Sequence, residues 1–368
     1  MSAVRIAGHS PPSRLSRVRY EVERRLLTIV NPPRVERHQD RCSIFLVPAL
    51  SRRITGGVIS IIDLLDASGR IGLGAGFDTR ACLLPVEQYS AGVKEYRNSW
   101  ILDPLASVID DYRSADRLWI HVPEFAVSGA MASIAGALRN IDPDRVRINI
   151  LNQNVRLMPS RETLDRLSDE FGLAMTCTTA HSAYCTPAER IRLGVPLHHF
   201  STWVSPEHYA FAAHIEKLDQ MVLSPDQPEM NDRLREAMAG ARPQLDFTVV
   251  NNMPYDAYLS LVFKSRWSAT FGEGLDGYFA EVALAGGVPF AVYNSEFFTP
   301  EYAELPNVFA SQDDMLAEAP AIVSAARQDP DLYASISRAT TDCLSSQYNY
   351  GSHLERMTAF YLDKLDHP

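Results

Sequence analysis

The chain predicts the α/β class, with two domains built on one plan. Three observations carry this. Short apolar, β-prone runs alternate with segments of helical periodicity along most of the 368 residues, the pattern of parallel sheets covered by helices. At two places, 42–65 and 271–293, a strand-like run leads into clustered glycines and then a helix, the opening of a nucleotide-binding fold. The length suits two domains of ordinary size rather than one.

Residues 1–40 read as a basic helical leader. Eleven arginines in residues 1–55 face only Glu21, Glu23, Glu36 and Asp40, a net of +7 in a chain whose total is −10. Leu15, Val18, Val22, Leu26 and Leu27 recur at near-helical spacing among Arg17, Arg19, Arg24 and Arg25. Two readings follow: a segment for an anionic membrane surface, or a helix packed on its own domain. Nucleic acid is the poorer partner, because the remainder is acidic and no aromatic–basic interleaving occurs.

Residues 41–210 form the first expected domain. The run 42–48 is its first buried strand, followed by Gly56, Gly57 and an apolar helix at 58–65. Strands at 118–122, 146–151, 174–179 and 199–204 alternate with helices at 130–138, 161–171 and 187–193. Asn152, Gln153 and Asn154 close one strand, amides suited to a sugar's hydroxyls or to capping a loop. His181 follows another strand end, with His121, His198 and His199 as rivals for any role a histidine plays. The crossing into the second domain is expected at 205–217.

Residues 211–345 form the second expected domain, with strands at 221–223 and 247–250 and helices at 231–238 and 257–263. Then comes the unit 271–293. Gly272, Gly274 and Gly277 let its backbone turn tightly and approach a ligand. Asp276 is placed to cap the following helix, and Phe279, Val282, Ala283 and Gly286 recur on one helical face. Gly286 and Gly287 end that helix before a strand at 288–293. Two acids give the unit its chemistry. Glu273 lies in the turn, and Glu281 lies inside the helix among apolar neighbours, where a carboxylate is costly unless something hydrogen-bonds to it. Sugar hydroxyls meet that need. The open N–H groups of the helix start, at Leu275, Asp276, Gly277 and Tyr278, suit a phosphate. Helices near 313–327, 331–346 and 348–365 complete the chain.

With these residues in view, Glu273-Gly-Leu-Asp-Gly-Tyr-Phe-Ala-Glu281, followed by Ala285-Gly-Gly-Val-Pro289, resembles the Glu-x7-Glu signature of retaining GT-B glycosyltransferases of the family 4 type. The resemblance implies two Rossmann-like domains facing a cleft, with a terminal helix, 346–368, packing back on the first. It implies a retaining, metal-independent hexosyltransferase that moves a sugar from a nucleotide-diphosphate sugar to a glycan or lipid-linked acceptor in cell-surface polysaccharide synthesis. A GT-B epimerase, an inverting transferase and a non-catalytic partner subunit are the alternatives. By position, Glu281 would hold the ribose, and Glu273 with the N–H groups of Gly274, Leu275, Asp276 and Gly277 would orient the sugar. His181 would meet the donor sugar, Met253 or Tyr255 would cover the base, and Gly56 and Gly57 would lie on the acceptor side. One departure stands out. The family's basic pair after the first donor-domain strand is missing, because 224–231 offers Asp226 and Glu229, and Lys264 and Arg266 are the nearest substitutes.

No Asp-x-Asp stands at a strand end. Asp63, Asp110, Asp111, Asp313 and Asp314 fall in helix-like contexts or at helix starts, so neither a catalytic divalent ion nor a cofactor is expected. Five scattered cysteines and the lack of an apolar signal core fit a cytoplasmic protein, held at the inner membrane face if the leader binds lipid.

Overall fold

The computed structural model describes residues 14–30, 39–48, 56–85, 91–92, 98–201, 216–241, 244–251 and 253–368. The chain divides into two compact units, Met1–Thr202 with Gly351–Pro368, and Trp203–Tyr350. These bounds fall at 203 and 351 instead of the expected 211 and 346. The expected crossing at 205–217 lies, apart from its last two residues, outside the described residues, as do 1–13 and 31–38 of the leader.

The first unit runs α1 (Arg14–Val30), β1 (Arg41–Val47), α2 (Gly56–Ala75), β2 (Asp78–Leu83), α3 (Leu105–Asp111), β3 (Arg117–Pro123), α4 (Val127–Ala137), β4 (Val146–Asn152), α5 (Arg161–Phe171), β5 (Ala174–Thr179), α6 (Pro187–Leu193) and β6 (Leu197–His199). Six parallel strands stand in the order β2-β1-β3-β4-β5-β6. The helix boundaries follow local chemistry. The Thr186 side chain caps α6 by accepting from Glu189 N at 3.2 Å, and Gly194 closes it at φ +76°.

The second unit runs β7 (Leu218–Leu223), α7 (Pro228–Ala241), β8 (Asp246–Val249), α8 (Tyr255–Lys264), β9 (Ser265–Thr270), α9 (Gly277–Leu284), β10 (Val288–Val292), β11 (Val308–Phe309), α10 (Gln312–Gln328) and α11 (Pro330–Gln347). Its parallel order is β11-β10-β9-β7-β8. Strand order reverses between β7 and β9. In such sheets ligands bind outside the carboxyl ends of the strands at that reversal. The core beneath is apolar, with Met221, Leu223, Trp267, Ala269 and Phe290 packed against Met315, Val323 and Tyr333.

The last helix, α12 (Tyr350–Tyr361), belongs to the first unit apart from its first residue, so the expected return of the terminal helix is present. A buried polar network holds it. The Tyr361 hydroxyl lies 2.8 Å from both Ser43 Oγ and Ser68 Oγ. Ser43 Oγ lies 3.1 Å from His121 Nε2, and Asn149 Nδ2 lies 3.0 Å from His121 Nδ1. The amide donates, so Nδ1 accepts and Nε2–H is left to donate to Ser43. The His121 ring stacks on Phe45 at 4.1 Å. Beyond α12, the backbones of Leu197 and His367 exchange hydrogen bonds of 2.8 and 3.0 Å, which extends the sheet past β6. Among the described residues no helix is long and apolar enough to cross a membrane.

Candidate functional site

The reversal point of the second sheet is where β9 ends and its glycine turn begins. The turn is fixed from below. Gly274 has φ +90°, and a Cβ there would stand 2.4 Å from the Phe298 ring, so only glycine fits without displacement. Phe298 packs in turn edge-on against Phe279 and tilted against Tyr302, so the aromatic loop after β10 is the floor of the turn. The neighbouring loop after β7 is tied to it, because Gln227 Nε2 donates to Phe271 O at 2.5 Å.

Asp276 caps α9 as its sequence position predicts. Its Oδ1 accepts from Phe279 N at 3.2 Å, and its Oδ2 accepts from Thr270 Oγ1 at 2.6 Å. The residue is partly buried, but burial still pushes its carboxyl up to about 7, against the lowering effect of these hydrogen bonds. Glu281 is 4% exposed. Its carboxylate folds back toward the helix start, and an added Cβ on Gly277 would lie 3.3 Å from Glu281 Oε1 and 3.4 Å from the Tyr258 hydroxyl. That hydroxyl hydrogen-bonds the Glu281 carboxylate, and burial first, then the carboxylate, raise the phenol well above its ordinary value. Tyr255, Tyr258 and Tyr278 form an aromatic row, with centroids 6.0 and 5.8 Å apart. Glu273 is half-buried at the crest of the turn.

Three expectations for this site need correction. The start of α9 is not an open phosphate cradle, because the Asp276 carboxyl occupies N–H groups a phosphate would use. Lys264 and Arg266 stand at the opposite end of β9, with Arg266 about 16 Å from Phe271 at the usual strand rise. Arg266 pairs instead with Asp219 at 3.8 Å. Tyr255 is 4% exposed and packs on Tyr258, which leaves half-buried Met253 as the one of the two with surface to offer a base. Asn252, between Asn251 and Met253, lies outside the described residues. The missing basic pair is compounded locally, since an added Cβ on Gly272 would lie 2.9 Å from Asp226 Oδ2.

In the first unit, several residues singled out in the sequence converge. Gly56 and Gly57 are the first two residues of α2, within the helix instead of ahead of it. One and two turns on, Ser60 and Leu64 line a small pocket whose other walls include Leu151, Asn152, Gln153, Thr178, Ala180 and Phe200. Asn152 is 1% exposed, and neither of its amide atoms has a hydrogen-bond partner among the described residues. A buried amide left so costs about 1–3 kcal/mol, a cost that a polar group in the pocket would relieve. Half-buried His181 follows Ala180 at the rim. Burial pushes its ring down to about 4, so it is neutral at pH 7. Its rivals are structural. His121 is locked in the network above, and His198 Nε2 bonds to Arg356 O at 2.8 Å while Nδ1 faces Asp366 at 2.9 Å. His199, half-buried, is likewise pushed down to about 4 by burial, and its backbone N donates to Asp366 at 2.9 Å.

No protein-family model matches the chain, and no curated protein matches it by sequence. Solved structures do match its fold. Anabaena HepE in complex with UDP-glucose aligns over 88% of this chain and 100% of its own, at TM-score 0.52 and 12% identity. Sucrose-phosphate synthase from Thermosynechococcus elongatus aligns over 89% and 99%, at 0.57 and 10%. The T4 phage β-glucosyltransferase aligns over 89% and 99%, at 0.50 and 12%. These are glycosyltransferases of the GT-B type, and the α/β fold with two parallel Rossmann-like sheets is the GT-B fold.

Proposed function

We propose that the protein is a GT-B glycosyltransferase that takes a nucleotide-diphosphate sugar as donor and a glycan or lipid-linked molecule as acceptor, with retention at the anomeric carbon. One observation carries the reading: a buried glutamate, Glu281, held by the Tyr258 phenol beside Gly277 at the reversal point of the second sheet. A carboxylate placed there is an acceptor for paired hydroxyls, as a ribose presents. HepE was solved with UDP-glucose, which supports a nucleotide-sugar donor for this fold. Glu273, at the crest of the turn, orients the transferred sugar. The leaving diphosphate is stabilised by fixed dipoles of the turn as charge develops, the electrostatic route to rate, with no metal in the scheme. Within the first unit, Asn152 and neutral His181 offer hydrogen bonds to a sugar, not positive charge.

Calorimetric titration with UDP-, GDP- and dTDP-sugars tests this. The expected result is binding of at least one donor, weakened about tenfold or more in Glu281→Gln, the loss of roughly 1.4 kcal/mol or more of hydroxyl-to-carboxylate bonding. Turnover should fall further in Glu273→Gln, and the anomeric configuration of the product decides retention.

A second reading has its own observation. Asp226 faces Gly272, and Asp276 caps the helix start, so two carboxyls stand where a diphosphate needs cations. This favours a glycosyltransferase-like partner subunit without donor chemistry. Absence of binding to every nucleotide sugar, with the protein folded, would select it.

A further inference from the structure

The helix α1 is turned inside out. Its docked face is polar. The Tyr20 hydroxyl donates to Leu102 O at 2.9 Å, Arg24 Nε pairs with Asp103 at 2.7 Å, and Glu23 accepts from Ala91 N at 3.1 Å. Leu27 adds an apolar contact against Gly92. These residues recur at 20, 23, 24 and 27, one side of a helix. The opposite side carries Val18, Val22, Leu26 and Ile29, which are 56, 55, 59 and 77% exposed. The other large apolar side chains exposed among the described residues are scattered singly, so this stripe is the one apolar patch with helical order.

Charge decides the occupant. At 100° per residue Arg25 and Arg19 flank the stripe, each about 20° beyond one of its edges, and both are exposed. They belong to the segment of net +7, while the rest of the chain carries −17. A second copy of this chain on the stripe would set these arginines against their own counterparts. An anionic lipid surface instead takes both parts: aliphatic side chains enter the boundary between headgroups and acyl chains, and arginines reach up to the phosphates. We propose that α1 is an interfacial helix that lays its Val18–Val22–Leu26–Ile29 stripe into an anionic bilayer, while Tyr20 and Arg24 hold the first unit to it. The proposal stands on the helix alone and does not rest on the transferase reading.

The test uses the full chain and vesicles of phosphatidylcholine with or without phosphatidylglycerol. The wild type should co-sediment with the anionic vesicles, more weakly with the neutral ones, and less in high salt. V22S/L26S/I29S should lose about tenfold or more in partitioning. R19E/R25E should lose binding to the anionic vesicles while keeping the weak neutral binding. All five positions point outward, so circular dichroism and the melting temperature should match the wild type in both variants. Equal partitioning of wild type and triple variant overturns the proposal. So does a wild type that binds no vesicle, and a dimer in solution that the triple variant abolishes without vesicle binding would identify the stripe as a self-association face.

Discussion

The two units share one architecture but differ in where their largest polar cluster lies. In the second, the polar groups collect at the carboxyl edge of the sheet, on Asp226, Thr270, Asp276 and Glu281, above an apolar core. In the first, a polar network of Ser43, Ser68, His121, Asn149 and Tyr361 runs through the interior itself. Buried polar groups are tolerated only when satisfied, and a satisfied network specifies one arrangement over others. In the second unit the chain is continuous, and its buried polar pair, Thr340 donating to Asn307 at 3.2 Å, joins elements of that one stretch. The first must recruit a helix from far along the chain, and the network selects the one helix that offers a hydroxyl at the right place.

The largest expected effect tests that contrast directly. Tyr361→Ala should cost about 3–5 kcal/mol, and Tyr361→Phe about 1–3, both confined to the unfolding transition of the first unit in a urea or calorimetric profile. If both transitions shift together, the separation of the units fails. Gly274→Ala should cost roughly 2–3 kcal/mol in the second unit alone, from strain at positive φ and the clash with Phe298.

Acid sharpens the comparison, because the units respond with opposite sign. Burial pushes His121 down to about 3, and His181, His199 and His353 down to about 4, all in the first unit. An unfolded histidine takes up its proton near pH 6.5, so stability contributed by these groups is lost as pH falls below that value. His121 alone accounts for about 2 kcal/mol by pH 5. Asp276 is raised to about 7, so its contribution is full below about pH 4 and is lost as pH rises to 7. Calorimetry at pH 5 and 7 should therefore show the first unit's transition falling on acidification. The smallest effect is Asp276→Asn, which keeps the cap and should raise the second unit's transition at pH 7 by roughly 1 kcal/mol while leaving it unchanged at pH 4, allowing for screening of a partly exposed residue. A variant equally stabilised at both values would mean that the carboxyl is not strained by burial.

Much of the fold is legible because local signals agree with global ones. The runs 161–171, 174–179 and 187–193 coincide with α5, β5 and α6, where periodicity, caps and glycine stops all concur. β2 is missed because Asp78-Thr-Arg opens it, and a strand at the sheet edge, with β1 on one side and only a bridge to Asp103 on the other, need not be apolar throughout. β6 is placed two residues late, since the apolar 200–204 outweighs a short strand holding two histidines. At the candidate site, the Asp276 cap and the Gly274 turn are local and readable. What sequence could not supply is everything that arrives from another element: Tyr258 on Glu281, Asp226 against Gly272, and Arg266 drawn away to Asp219. The orphaned amide of Asn152 is of the same kind, because only the packing around it reveals that nothing answers it.

The return of α12 has a consequence for synthesis. A ribosome releases β6 first, then the whole of Trp203–Tyr350, and only afterwards the helix that completes the earlier sheet. At about 5–20 residues per second that interval is roughly 7–30 s. During it the surface around Ser43 and His121 lacks its cover, and the later-made half can close before the earlier one. A nascent chain stalled ahead of Tyr361 should thus yield a protease-resistant second unit beside a susceptible first one, inverting the usual order in which domains mature.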